Sequence, residues 1–275
     1  MAAEGHEVYP NAPIAFVTVE VRFPGEAGQG IHSVVQRAFR DVLGDEWVIE
    51  QLTQQELTLG INIGGPPSQT MRAVNIPRFT IRDRTSAVVL TTNSITIETT
   101  RYRGWPDFRS VIERALRATA DLVEPDGVAR VGMRYVDEIR VPDLGERSRS
   151  WGQWLSPDVL APASTEMERA GFPPATWTGA AQYALGGGRQ LVIRYGPQSG
   201  YAVDPGGPLR RPDPPPPGPF FLLDFDSFSE PSTIPLFDVE ELLQTCDELR
   251  LPTRALFDQI VTESLIDDVF RKDGS

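Results

Sequence analysis

The sequence predicts an α+β fold, in which a curved antiparallel sheet packs on long helices and the chain ends in a pair of helices. Many short segments alternate apolar and polar residues, as half-buried strands do. These segments come in consecutive runs, and the stretches with helical spacing stand apart from them. That arrangement favours an α+β fold over a doubly wound parallel sheet.

The composition predicts a protein stabilised by its own core. The chain has 275 residues, of which 40% are hydrophobic and 23% are charged, close to an average soluble protein. Its single cysteine, Cys246, excludes an intramolecular disulfide. We expect two α+β units, residues 1–145 and 146–275, packed as one body.

The first unit begins with an alternating strand at 14–23 and a helix at 30–43, which Gly44 ends. Further strands are predicted at 47–52, 56–63, 77–81, 87–92 and 95–100, with a loop at 64–69. The strongest helix, 105–123, has Pro106 in its first turn and precedes a long strand at 128–141. Because their apolar faces are the strongest, the first strand should pack on this helix through Val17, Val19, Val21, Val111, Ile112 and Leu116.

The second unit is less regular. Short helices are predicted at 151–160 and 164–170, a hairpin at 176–195 turning on the glycines at 186–188, and a strand at 220–228. Two terminal helices, 236–249 and 252–270, should point their apolar residues inward, Leu236 included, and their acids outward. The proline-rich loop 202–219 is either an insertion between two strands or an extended ligand for a proline-reading partner.

Charge and composition exclude several classes of function. The 38 acidic and 26 basic residues give a net charge of −12, so non-specific nucleic-acid binding is not expected. The one lysine, Lys272, lies near the end of the chain, which argues against a Schiff-base or phosphate-loop lysine. His6 and His32 are the only histidines, so one chain cannot supply three histidine ligands. No signal peptide or membrane helix is predicted, and the expected location is cytoplasmic.

Four phrases together carry a resemblance to a known family. They are YPNAPI at 9–14 before a strand ending in EVRF, RVGMRYVDEIRVP at 130–142, LLDFDSF at 222–228 and LFDQIVTESLIDDVF at 256–270. In this order they resemble an uncharacterised, sporadically distributed bacterial family of similar length. The resemblance implies a bacterial protein, and it brings no assigned activity, cofactor or catalytic residue. The family's patchy occurrence is like that of mobile or defence-linked genes, and the loop 202–219 departs from its pattern.

Asp224 and Asp226 are the first candidate site. They lie two apart on a predicted strand and therefore share one face. Two carboxylates there could take part in binding Mg²⁺. The alternative is that both acids face water while Leu223 and Phe225 face the core.

The strand containing residues 134–140 offers a second candidate. Arg134, Glu138 and Arg140 share one face and could form an ion-pair ladder, which Glu20 and Arg22 could extend. The opposite face carries Met133, Tyr135, Asp137 and Ile139. The charged face is either a solvated sheet surface or the polar floor of a ligand groove.

Arginines and aromatic residues just before the long helix form the third candidate. Arg101, Tyr102, Arg103 and Trp105 suit stacking or phosphate contacts, or they cap strand ends. The residues predicted to bind a ligand or partner are Arg101, Tyr102, Trp105, Arg134, Tyr135 and Glu138.

These observations favour a non-enzymatic binding or adaptor protein of the bacterial cytoplasm, with a protein partner and no cofactor. No nucleophile motif or metal-ligand spacing is present, and no catalytic residue is assigned. The alternative is an enzyme or nucleotide-binding module that uses Asp, Glu and Arg in a cleft. A deep cleft with these residues converging would favour this alternative.

Overall fold

The computed structural model describes residues 9–25, 33–60, 68–142, 148–160, 171 and 176–272. Its central feature is a nine-stranded antiparallel sheet. The strands are β1 (Ile14–Arg22), β2 (Trp47–Gly60), β3 (Ser68–Ile81), β4 (Ser86–Leu90), β5 (Ser94–Thr99), β6 (Arg130–Ile139), β7 (Gly179–Gly186), β8 (Arg189–Gly200) and β9 (Gly218–Ser229). Their order across the sheet is β2-β3-β4-β5-β1-β6-β9-β8-β7, so the strands of both halves of the chain lie in one sheet.

Three helices of the described part of the chain pack on one face of this sheet, which we call the inner face. They are α1 (Ser33–Leu43), α2 (Trp105–Leu122) and α3 (Val239–Ile260). Short 3-10 helices occupy Ser148–Gln153 and Pro157–Val159. After α3, a turn at Glu263–Leu265 continues as a π-helical turn at Ile266–Phe270. The α+β architecture predicted from the sequence is confirmed, and none of the helices described is long and apolar enough to cross a membrane.

The predicted packing of β1 with α2 is also confirmed. Alternate residues of β1 are buried, and its valines share one hydrophobic core with Ile112 and Leu116 of α2. Val111 is partly buried against the same core. The alternation in β1 thus gives a strand with an apolar inner face, which the helix covers.

The strand predictions at 47–63 were wrong in detail. A single strand, β2, spans the polar stretch between the two predicted strands, because backbone pairing with β3 continues through it. Residues 61–63 lie outside the described part of the chain. The predicted loop at 64–69 overlaps β3, which begins at Ser68.

The C-terminal region contains one long helix where the sequence predicted two. Helix α3 runs through Pro252, although an internal proline removes a backbone hydrogen bond. Buried side chains on both sides of the proline, among them Leu249 and Phe257, hold the helix to the sheet and offset that loss. Leu236 is exposed, contrary to prediction, because it precedes the N-cap residue Asp238.

The amphipathic helix predicted at 30–43 has a mixed outcome. In α1, Phe39 and Leu43 are buried as expected, whereas Val34 and Val42 are exposed.

The predicted helix 164–170 and His32 lie outside the described residues. The hairpin at 176–195 is confirmed by the pairing of β7 with β8. The loop 202–219 corresponds to an insertion between paired strands, since Gly200 of β8 pairs with Gly218 of β9.

Candidate functional site

The sheet face opposite the helices, which we call the outer face, carries a network of ion pairs. Alternation along the strands places most of these side chains on one side of the sheet, and Arg84, Arg140, Arg211 and Glu230 belong to the loops and strand ends beside it. The network comprises Glu20, Arg22, Glu50, Arg78, Arg84, Glu98, Arg130, Arg134, Glu138, Arg140, Arg194, Arg211, Asp224, Asp226 and Glu230. The network contains eight arginines and seven acids, a net charge of +1, while the whole chain carries −12.

Asp224 is the centre of this network. Arg134 binds it with two hydrogen bonds, from Nε to Oδ1 at 2.6 Å and from Nη2 to Oδ2 at 2.8 Å. Arg194 lies 3.7 Å from the same carboxylate. Arg130 similarly bridges Glu20 at 3.1 Å and Asp226 at 3.5 Å. The acids of β9 are thus engaged by arginines of neighbouring strands.

This arrangement bears on the candidate metal ligands Asp224 and Asp226. Leu223 and Phe225 do face the core, as one interpretation required, but Asp224 is buried beneath arginines and does not face water. Among the described residues, no group of three or more His, Cys, Asp or Glu could hold a metal ion. The two carboxylates form salt bridges in this structure.

Arginines form the exposed layer over much of this network. The Arg134 side chain is 47% exposed above Asp224, which is 5% exposed. Arg194 is 50% exposed above the same acid, and Arg22 at 54% lies above Glu20 at 28%. Arg78 and Arg130 are exceptions and lie deeper than their acids. An acidic protein therefore presents guanidinium groups at the centre of its open sheet face.

Glu138 attaches the loop between β8 and β9 to the outer face. Its carboxylate accepts hydrogen bonds from Arg140 Nε at 2.7 Å and from the N–H of Ala202 at 2.7 Å. Arg211 of the loop forms an ion pair with it at 2.8 Å. Burial pushes the pKa of Glu138 upward, but these partners outweigh burial and lower it. The predicted pairing of Glu138 with Arg140 is therefore present, whereas Arg134 pairs with another strand.

A cleft of about 280 Å³ lies between this loop and the sheet. Its lining residues are Phe16, Arg78, Glu98, Val203, Asp204, Gly207, Pro208 and Leu209. Arg78 is almost fully buried and donates from Nη2 to Glu98 at 2.9 Å. Burial raises the pKa of Glu98, and the charge of Arg78 opposes that shift. Apolar walls and a paired arginine therefore line the cleft.

The inner face contains a second polar cluster, between β6 and α3. We call it the inner polar cluster and define it as Tyr102, Tyr135, Asp137, Arg250, Thr253 and Arg254. The rings of Tyr102 and Tyr135 meet edge to face with centroids 5.8 Å apart. Both tyrosines have raised pKa values, chiefly through burial, and Arg250 acts on both electrostatically. Trp105 lies alongside, beneath Arg250, and donates from Nε1 to Asp247 at 2.6 Å.

Several buried atoms of this cluster have no hydrogen-bond partner within the described residues. They are Asp137 Oδ1, Arg250 Nε and Thr253 Oγ1. Burial and, to a smaller extent, the charge of Asp224 raise the pKa of Asp137 to about 7, and the charge of Arg254 opposes them. Asp137 is thus poised between its neutral and charged forms near neutral pH.

The six residues predicted to bind a ligand do not form one site. Alternation along β6 puts Arg134 and Glu138 on the outer face and Tyr135 on the inner face, where it meets Tyr102. Arg101 pairs with Asp83 at 2.6 Å. Sequence reasoning did not identify Asp137, Arg250, Arg254 or Glu98 as site residues. An acid at a core-facing position of β6 was the one available signal, because Asp137 alternates with Tyr135 and Ile139.

No protein-family model and no curated protein matches this chain. The resemblance to a bacterial family therefore stays a prediction, and functional conclusions depend on the geometry of the two faces.

Proposed function

We propose that the protein is a non-enzymatic binding protein whose outer face recognises an acidic segment of a protein partner. The supporting observation is the layer of arginines above buried acids on a strongly acidic chain. A cytoplasmic location in a bacterial cell, expected from the sequence, belongs to the same proposal.

The buried acids give the arginines fixed positions without using all their donors. A guanidinium group has five N–H donors in a rigid fork that matches a carboxylate. Asp224 takes two of these from Arg134, and the 3.7 Å contact of Arg194 is too long for a hydrogen bond. Donors therefore remain at the surface for carboxylates of a partner, and less ordering of side chains is needed on binding.

The charge distribution favours a protein partner over nucleic acid. With eight arginines and seven acids paired on the outer face, the remaining surface carries the chain's excess of acid. A duplex has dense phosphate charge along its whole length, and it would meet that acid outside the arginine layer. A short acidic segment can contact the arginines alone.

The second candidate function is an enzyme or nucleotide-binding module, and the cleft favours it. Arg78, Glu98 and Asp204 converge there. However, about 280 Å³ is slightly below the roughly 300–1,000 Å³ of small-molecule sites. Arg78 is also already paired with Glu98. We therefore rank this function second.

The test is binding of a fluorescent polyglutamate peptide to the purified full chain. The variant is Arg22→Gln/Arg194→Gln, because Glu20 keeps Arg130 and Asp224 keeps Arg134 when these two are removed. We expect measurable binding that weakens with salt and falls about tenfold or more in the variant.

The matched control is Arg117→Gln/Lys272→Gln, which removes the same charge from exposed positions elsewhere. It should bind polyglutamate nearly as well as the wild type. Equal losses in both variants would show a general charge effect and contradict the proposal. Binding of ATP without binding of polyglutamate would favour the second candidate.

A further inference from the structure

Strand β7 forms one edge of the sheet, and within the described residues it lacks the usual protection of an edge. Its sequence, GAAQYALG, contains no charged residue and no proline. Natural sheets usually guard exposed edges with charges, prolines or bulges, because the unpaired backbone groups recruit other strands. The one irregularity in its pairing lies beyond Ala184, so residues 179–184 keep a regular register with β8.

The two sides of β7 differ in chemistry. Ala181 and Tyr183 pair with Ile193 and Leu191, which are buried, so they lie on the inner face. Tyr183 nevertheless remains 43% exposed, and Leu185 after it is also exposed. The apolar inner face of the sheet thus continues past the part that the helices cover.

The outer side of β7 leads to the arginine layer. Ala180 pairs with Arg194, and Gln182 hydrogen-bonds Gln190. A strand added at this edge would lie about 4.7–4.9 Å from β7. Because Ala180 carries only a methyl group, an outward side chain on that strand can approach the Arg194 guanidinium.

We propose that β7 accepts an extended segment of the partner in which acidic and apolar residues alternate. The apolar side chains cover Tyr183 on the inner side and contact the exposed Leu185 next to it, and the acidic ones face Arg194 on the outer side. Main-chain hydrogen bonds to the free edge supply affinity, as in other cases of strand addition. This inference rests on the proposed function, since it assigns the acidic segment a conformation and a docking edge.

The test compares two synthetic peptides of identical composition. One alternates glutamate and valine, and the other has a glutamate block followed by a valine block. The alternating peptide should bind the full chain about tenfold more tightly, because only its strand separates the two chemistries onto opposite faces. Hydrogen exchange should show slower exchange at residues 179–184 with the alternating peptide.

Tyr183→Ser/Leu185→Ser should reduce the affinity for the alternating peptide to that for the block peptide. Leu236→Ser/Leu251→Ser is the matched control, since it alters exposed apolar residues away from β7 and should preserve the difference. Equal affinities for the two peptides, or unchanged exchange in β7, would overturn the inference. A dimer by light scattering in which β7 amides are already protected would also overturn it, because a second copy would then occupy the edge.

The polyglutamate measurement separates the two proposals. If polyglutamate binds through Arg22 and Arg194 but alternation gives no advantage, strand addition fails and the proposed function stands. If polyglutamate does not bind, the proposed function itself fails.

Discussion

Asp137 and Glu138 are neighbours on β6, yet the two faces of the sheet give them opposite chemistry. Glu138 on the outer face has an N–H and two guanidinium groups around its carboxylate. Asp137 on the inner face has one carboxylate oxygen without a hydrogen-bond partner. The pKa of Glu138 is lowered although burial opposes this, while burial raises that of Asp137 to about 7. Both residues are about 3% exposed, but Asp137 lies deeper inside the protein, so burial and hydrogen-bond partners together decide the charge state.

The two faces also differ in how their charged groups are placed. On the outer face most charged side chains form ion pairs, although Thr18 Oγ1 and Arg78 Nε have no hydrogen-bond partner within the described residues. On the inner face, polar groups are embedded in apolar packing between β6 and α3, and some lack partners. The outer face therefore carries paired charges near the surface, and the inner face buries polar groups at a local cost.

The largest expected effect comes from removing the cover of the inner face. Deleting residues 236–275 should abolish cooperative unfolding, because α3 and the following turns bury many apolar side chains against the sheet. These are Leu242, Leu243, Cys246, Leu249, Phe257, Ile260, Val261, Leu265, Val269 and Phe270. At about 1.5–3 kcal/mol each, their loss exceeds a typical total stability of about 5–15 kcal/mol. Circular dichroism and calorimetry would measure it.

The control for this deletion removes the loop that lies over the outer face. Replacing residues 201–217 by a short turn should cost much less, since Leu209 is the one fully buried apolar side chain of that loop. A truncation at 236 that stays monomeric and equally heat-stable would contradict the assignment of α3 as the essential cover.

Replacing Asp137 by asparagine should stabilise the protein at high pH. The folded state keeps the Asp137 proton up to pH about 7, whereas the ordinary pKa is 3.8. Between pH 3.8 and about 7 the folded state binds more protons than the unfolded state, so the free energy of unfolding falls as pH rises. The free energy of unfolding falls by at most about 4 kcal/mol across this range, because the pKa changes by about three units and each unit corresponds to about 1.36 kcal/mol. Urea unfolding from pH 4 to 8.5 should therefore show Asp137→Asn matching the wild type at pH 4 and exceeding it above pH 7. A difference that does not vary with pH would count against an unpaired carboxylate.

Glu138→Gln should lower the free energy of unfolding, and the change should be smaller than the one expected for Asp137→Asn at high pH. It leaves Arg140 and the buried Arg211 without their counter-charge, which we expect to cost about 3 kcal/mol, the lower end of the range for a broken buried pair. Arg140 keeps its hydrogen bond to Gly200, which limits the loss. The control Glu50→Gln breaks a more exposed pair with Arg84 and should cost less than about 1 kcal/mol. Equal losses in urea unfolding would show that Glu138 is not a special anchor.

Local patterns predicted the elements better than the sites. The alternation in β1 and the glycines between β7 and β8 are readable from adjacent residues, because strand period and turn chemistry are local. The continuity of α3 through Pro252 was not predictable in this way, since tertiary packing outweighs the proline. The β6–β9 pairing was likewise out of reach. It brings Arg134 to Asp224 from 90 residues away, and no spacing rule contains that register.

The six residues predicted to bind a ligand lie on different faces of the sheet, and the sequence did not show this because contacts between distant segments are not readable from local patterns. The sequence grouped Arg134, Tyr135 and Glu138 because they are close along the chain, although alternation assigns Tyr135 to the other face. Tyr135 meets Tyr102 only because the segment before α2 packs over β6. The alternation of side chains along β6 was sufficient to assign these residues to different faces. It was not sufficient to predict the third element that completes each cluster.

The smallest expected effect concerns divalent metal at Asp224 and Asp226. We expect Mg²⁺ or Mn²⁺ to leave the melting temperature unchanged, because a metal would have to displace Arg134 from its two hydrogen bonds to Asp224. A hundredfold excess over Kd would otherwise stabilise the fold by roughly 2.7 kcal/mol, a shift of several degrees that thermal unfolding readily detects. Asp226→Asn serves as the comparison, since Asp224 keeps Arg134 in that variant. A metal-dependent rise that disappears in Asp226→Asn would mean that the outer face exchanges arginine for a cation, and its acids would then be ligands rather than anchors for the arginine layer.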